Sequence, residues 1–315
     1  MDANARIFIA GAGGLVGSAV VRHLRAEGFT NLQAPTRAEL DLTNQAAINA
    51  FFEHERPEFV FLVAGRVGGI HANSTYPADF IRDNILIQAL VIDAAHRYGV
   101  RKLLDLGSSC IYPKMAPQPM TEDCLLTSAL EPTNEWYAIA KITGLKMCQA
   151  FHRQYGFNAI SLMPTNLYGP GDNFDLASSH VLPAMLRKFH DAKETGASEV
   201  VLWGTGSPKR EFLFVDDLAD ACLFVMRNYD GEQFLNVGTG QDLSIRELAE
   251  LVAQVTGFTG RIAWNSSMPD GTPRKLLDVS RLQSLGWKAK TSLSDGIRIS
   301  YNWFLEHHAT IRGGA

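Results

Sequence analysis

The 315-residue chain predicts an α/β fold, a doubly wound parallel sheet with a smaller, interleaved C-terminal domain. Two observations carry the expectation. Short apolar runs alternate with segments of helical period through the first half, and a glycine-rich turn links the first run to the first helix. Strands separated by helices must run parallel, because each crossover returns the chain to the same end of the sheet. In order, residues 6–10 read as the first strand and residues 15–26 as the first helix, which Gly28 stops. Strands follow at 32–35 and 59–63, then a helix at 85–98 and strands at 103–106 and 159–162. The arrangement is Rossmann-like. Beyond about residue 170 the rhythm loosens into loops, a helix near 181–190, and turns at Gly204-Thr-Gly-Ser-Pro208 and Pro269-Asp-Gly-Thr-Pro273.

Composition excludes several function classes. With 46% hydrophobic residues the chain can bury a sizeable core, and no run approaches a membrane span. A net charge of -4 supplies no field for non-specific nucleic-acid binding. Residues 1–6 show no leader pattern, so the expected location is cytoplasmic, with no membrane partner. Cys110, Cys124, Cys148 and Cys222 lack the spacing of a metal site or a disulfide framework, so no metal is expected and all four read as free thiols.

Gly11-Ala-Gly-Gly14-Leu-Val-Gly17 follows the first strand and opens the first helix, the context in which a glycine turn lets backbone approach a pyrophosphate. Gly11, Gly13, Gly14, Leu15, Val16 and Gly17 are therefore candidate dinucleotide ligands. A tight turn in a protein without a nucleotide would use the same glycines. After the second strand stands Arg37, where an acidic residue would favour NAD; a guanidinium suits a ribose phosphate and points to NADPH, although a surface arginine would look alike. Asp41, Leu42, Ala64 and Gly65 fall on the same expected sheet edge and suit the adenosine half. Residues 1–170, with part of 212–240, then form the nucleotide-binding domain, and 171–211 with 241–315 the substrate-binding domain.

Tyr137-Ala-Ile-Ala-Lys141 places a phenol and an ammonium on one helix face, a proton-donating pair for a carbonyl in which the ammonium favours phenolate. The same spacing is common on solvated helices. Ser108 follows a strand end, where a hydroxyl can bond a substrate oxygen or merely satisfy a turn. In combination with the glycine turn, Ser108 and Tyr137-x-x-x-Lys141 resemble the extended short-chain dehydrogenase/reductase superfamily. Ser108-Ser-Cys-Ile-Tyr-Pro-Lys114, Glu131-Pro-Thr-Asn-Glu135, Pro164-Thr-Asn-Leu-Tyr-Gly-Pro170, Arg210-Glu-Phe and Pro269-Asp-Gly-Thr-Pro-Arg-Lys275 narrow the resemblance to the GDP-L-fucose synthase family, over essentially the whole chain.

That resemblance implies an NADPH-dependent enzyme that epimerises a GDP-linked keto sugar at carbons 3 and 5 and then reduces carbon 4. It assigns Ser108, Tyr137 and Lys141 to the carbonyl, and Cys110 and His180 to proton exchange at the inverted carbons. It adds Leu106, Tyr137, Lys141, Pro164, Asn166, Leu167 and His180 to the cofactor site, and gives Ser108, Lys188, Trp203, Arg210 and Asp270 to the GDP-sugar. Cys110 as a packed thiol and His180 as a helix-start residue are the plain alternatives. This chain departs from the family habit at Ala12-Gly13, Trp136 and Arg66. GDP-L-colitose synthase, which acts on a dideoxy sugar, would share nearly all these motifs, whereas UDP-sugar 4-epimerases lack the Cys110 and His180 pairing. Retention of Ser108, Tyr137 and Lys141 argues against a non-catalytic nucleotide-binding relative. Residues 85–95 and much of 138–147 are apolar nearly all round, which suits either burial in one chain or a four-helix homodimer interface.

Overall fold

β1 (Ile7–Ala10) consists of four consecutive buried residues, as a strand covered on both faces must. The computed structural model describes residues 1–176, 178–268 and 270–309, with only the backbone of Ile70 and His71, so Pro269 of the turn motif lies outside the described residues. After β1 come α1 (Leu15–Ala26), β2 (Leu32–Gln33), α2 (Gln45–Glu55), β3 (Phe59–Leu62), α3 (Ile70–Thr75), α4 (Pro77–Arg97) and β4 (Lys102–Leu106). α5 (Glu135–Tyr155), β5 (Ala159–Pro164), β6 (Asn166–Tyr168), α6 (Val181–Glu194), β7 (Glu199–Trp203), β8 (Lys209–Arg210) and β9 (Phe212–Phe214) follow. The chain continues through α7 (Val215–Asn228), β10 (Leu235–Val237), β11 (Leu243–Ser244), α8 (Ile245–Thr256), β12 (Arg261–Asn265), β13 (Arg274–Lys275), α9 (Ser280–Ser284) and α10 (Leu293–His307).

The central sheet has six strands in the order β2-β1-β3-β4-β5-β10, all parallel. β2 is shorter than the 32–35 run suggested, since Pro35 has no amide to give the ladder. α4 begins well before residue 85, because Pro77 occupies the first turn, where a missing amide costs nothing. One apolar cluster fills the space between the sheet and α1 and α7, and another lies beneath α2, α4 and α5. Leu282 and Trp287, late in the chain, pack into the first of these. A third cluster joins α6, α8 and α10 around Phe189, Leu248 and Phe304 in the second lobe. Among the described residues no helix is long and apolar enough to cross a membrane.

Lys102 enters the base of β4 with its ammonium buried. Nζ donates to the carbonyls of Val225 (3.1 Å), Met226 (3.0 Å) and Tyr229 (2.7 Å) and to Asp230 Oδ1 (2.8 Å), so a cation caps the negative end of α7. α4 and α5 pack side by side, and their outer faces leave Leu86, Trp136 and Ile139 exposed.

Candidate active site

The carboxyl ends of β1, β3, β4 and β5 meet at one edge, and the strand order turns outward in both directions from β1, which is where open α/β sheets bind ligands. Gly11 there adopts φ +95°, and a Cβ on it would lie 2.7 Å from the Ala64 Cα. A Cβ on Gly17 would collide with the Gly11 carbonyl. These two glycines bring turn, helix and neighbouring strand together, whereas Gly13 has nothing within 4 Å of its missing side chain. That open space lies before the amino end of α1, whose cap residue Gly14 offers no side chain to the first-turn amides. Leu15, Val16 and Gly17 thus present backbone donors and a positive helix end to an anion. Arg37 is exposed, while the nearby acid Glu39 turns back to accept from the Thr36 amide (2.7 Å) and hydroxyl (2.9 Å). Asp41 is likewise occupied by Thr43, at 2.9 Å from the amide and 2.8 Å from the hydroxyl.

Ser108 leaves the end of β4 in extended conformation, and its Oγ accepts from the Cys110 amide at 3.2 Å. Nearby is the Tyr137 phenol, which stands in the first turn of α5 with Phe80 edge-on at 6.4 Å. One turn on, Lys141 is buried and donates from Nζ to the Leu106 carbonyl at 2.8 Å. Gly65 packs against this side chain, since a Cβ there would be 3.5 Å from Nζ. Arg66 stiffens that loop by pairing with Asp79 (3.2 Å) and Asp83 (3.0 Å). The electrostatics differ from the expected phenolate pair. Burial, aided by the nearby Cys110, pushes the Tyr137 phenol well above its ordinary value, and Lys141 aims at a carbonyl instead of the phenol. Burial pushes Lys141 down in turn. Tyr137 therefore holds its proton throughout the neutral range, as a donor should.

His180 caps α6 from an extended backbone position. The surrounding protein strips water from its imidazole and holds it below its ordinary value, hence neutral. A Cβ on Gly69 would lie 3.6 Å from the Ser179 carbonyl, so the loop carrying His180 rests on the loop after β3. Cys110 is half-buried in the turn that follows Ser108. Pro164 ends β5 beside this crest, and Asn166 is tied back by donating to the Glu211 carbonyl at 2.8 Å; Leu167 follows it in β6.

A second group of side chains lies in the other lobe. Lys188 of α6 places Nζ 5.9 Å from the ring centre of Trp203, which is 64% exposed and free to stack. β8 pairs with β13 so that Arg210 sits opposite Lys275, and burial lowers the Arg210 guanidinium while Asp270 opposes that. Lys275 thus joins the cationic group, a neighbour visible only once strand register is known. Asp270 has a different immediate task, accepting from the Thr205 amide (2.7 Å) and hydroxyl (2.8 Å) and so latching the turn before β8. Glu211, fully buried next to Arg210, accepts from the amides of Gly240 (2.7 Å) and Leu277 (3.0 Å). No cluster of potential metal ligands occurs among the described residues.

Comparison with known proteins follows this geometry. Residues 7–238 match the model of the NAD dependent epimerase/dehydratase family. GDP-L-fucose synthase 1 of Arabidopsis thaliana is 62% identical over 306 residues, covering 97% of this chain and 95% of that protein. The GDP-L-fucose synthase of Escherichia coli is 53% identical over 317 residues, covering 98% and 99% respectively. A crystal structure of a GDP-L-fucose synthetase from Naegleria fowleri bound to NADP superposes with a TM-score of 0.91 at 27% identity, covering 99% of this chain and 97% of the other. From the family match over residues 7–238 and these identities over nearly the whole chain, the chain belongs to the NAD dependent epimerase/dehydratase family and, within it, to the GDP-L-fucose synthases.

Proposed function

We propose that this protein converts GDP-4-keto-6-deoxy-D-mannose to GDP-L-fucose, inverting carbons 3 and 5 and then reducing carbon 4 with NADPH. The observation that carries the reading is the neighbouring Ser108 and Tyr137 with Lys141 one turn on, in a chain 62% identical to a GDP-L-fucose synthase. The cofactor site fits its ligand: Gly13 leaves room, the first-turn amides of α1 take the pyrophosphate, and the exposed Arg37 takes a ribose phosphate. Bound NADPH supplies the hydride. Lys141 holds the nicotinamide ribose.

Both carbons to be inverted flank a carbonyl, so removing a proton from either builds charge on one oxygen. Ser108 and Tyr137 donate to that oxygen. Cys110 and the neutral His180 exchange protons at the carbons, a thiol and an imidazole being groups that can give or take a proton. Tyr137 then gives its proton to the carbon 4 oxygen. Lys188, Arg210 and Lys275 neutralise the diphosphate, and Trp203 stacks on the base. On this reading residues 1–170 with part of 212–240 hold NADPH, and 171–211 with 241–315 hold the GDP-sugar.

The test is incubation with NADPH and the keto sugar in deuterium oxide, with the product identified by NMR. GDP-L-fucose deuterated at carbons 3 and 5 is expected, with one NADPH consumed per product. Cys110→Ser should cut deuterium incorporation by at least tenfold, within the range of a general base, and leave NADPH binding unchanged. No NADPH consumption by the unsubstituted protein rejects the reductase reading, and unchanged exchange in the variant removes Cys110 from the role of base. The exposed Leu86, Trp136 and Ile139 on α4 and α5 support a homodimer through these helices. Light scattering should give twice the 34.6 kDa chain mass, and a single-chain mass at micromolar concentration would refute it.

A further inference from the structure

The face of β4 turned toward α4 and α5 carries a carboxyl group that the reaction does not use. Asp105 is fully buried there, one residue before the carbonyl that anchors Lys141. Neither of its oxygens meets a donor among the described residues. Facing it is Gln88 of α4, 1% exposed, whose Oε1 is also unpartnered. The Gln88 amide cannot be turned round without loss, because Nε2 donates to the carbonyls of Asn84 (2.9 Å) and Ala140 (3.0 Å). Gly144 shows how close the acceptors come: a Cβ on it would strike Gln88 Oε1 and lie 3.1 Å from Asp105 Oδ2. Acceptors crowded into one dry space call for a proton between them.

We propose that Asp105 is a positioning residue for the reductase centre: protonated, it donates to Gln88 Oε1, and ionised, it supplies the counter-charge that keeps Lys141 an ammonium. This rests on the epimerase-reductase reading. The groups facing Asp105 are Lys141, Tyr137 and Cys148 of α5, Gln88 of α4 and Ser161 of β5. Lys141 is the cation among them, while burial holds Cys148 as a thiol. Burial raises the Asp105 carboxyl to about 6 against the pull of Lys141, so it gains charge as pH rises toward neutrality. Burial lowers Lys141, and Asp105 opposes that shift. Removing the carboxylate therefore lets Lys141 lose its proton at lower pH, and the effect falls on the basic side.

Asp105→Asn can still donate to Gln88 Oε1 but cannot ionise. In the NADPH assay its ratio of rates at about pH 8.5 and about pH 6.5 should fall severalfold below that of the unsubstituted enzyme, because Lys141 without its counter-charge loses its proton more readily. Profiles of identical shape would overturn the proposal, whereas an inactive unsubstituted enzyme would instead reject the function. Infrared spectra decide independently, and serve where the variant does not fold. In the cofactor-bound protein at about pH 5, Gln88→Leu should move a protonated-carboxyl stretch to higher frequency by removing its acceptor. Superimposable spectra would overturn the proposal.

Discussion

Replacing Tyr137 with phenylalanine should slow NADPH-dependent reduction by roughly 10²- to 10⁴-fold, the range that a positioned general acid supplies. The substitution removes one hydroxyl and little else. The ring can keep its edge contact with Phe80 at 6.4 Å, so neither fold nor cofactor binding should suffer. Because burial holds the phenol well above its ordinary value, the proton that Phe lacks is one the unsubstituted enzyme carries at any physiological pH. Lowering the pH should therefore not rescue the variant. Ser108 remains to bond the carbonyl oxygen, so deuterium exchange at carbons 3 and 5 should fall less than reduction does. Single-turnover NADPH absorbance and NMR of the sugar measure the two separately. A variant reducing within tenfold of the unsubstituted enzyme would take the acid role away from Tyr137.

Glu211→Ala should destabilise the protein by about 1–3 kcal/mol, since it leaves the buried Leu277 amide, and in part the Gly240 amide, without an acceptor. Those two amides lie on separate segments that this carboxylate ties together. The Glu211 backbone carbonyl meanwhile accepts from the Thr165 hydroxyl (3.2 Å) and the Asn166 amide (2.8 Å), so one residue joins the cofactor end of β5 to the strand carrying Arg210. The loss should appear twice: as a lower urea midpoint, and as a KM for the GDP-sugar raised several-fold with kcat less affected. A midpoint shift worth less than about 1 kcal/mol would mean that water replaces the carboxylate, contrary to its full burial.

Local signals made much of this legible. α1 spans residues 15–26 as its periodicity indicates, because Gly14 and Gly28 bound it on both sides. The glycine turn, Ser108 and the Tyr137-Lys141 spacing were readable for the same reason: each is set within a few residues. Glu211 and Asp105 were not. A carboxylate in or beside a short strand reads as solvent-facing until distant segments, Gly240 and Leu277 for one and Gln88 and Gly144 for the other, show what surrounds it. The aim of Lys141 at Leu106 and the pairing of Arg210 with Lys275 depend likewise on register between elements far apart in the chain. The start of α4 was hidden by Asp79, Arg82 and Asp83, whose ion pairs with one another and Arg66 interrupt the apolar stripe.

The buried ammonium of Lys102 also sets a clock on synthesis. Its acceptors lie at 225–230, and β10, the strand that closes the far edge of the sheet, ends only at Val237. Until that residue has left the ribosome, β5 is an unpaired edge open to pairing with another chain. Until residues 225–230 have followed, the Lys102 charge lacks these acceptors. A hydrated charge at the base of β4 resists burial, which keeps that end of the nascent sheet from collapsing onto a wrong partner before α7 arrives to neutralise it.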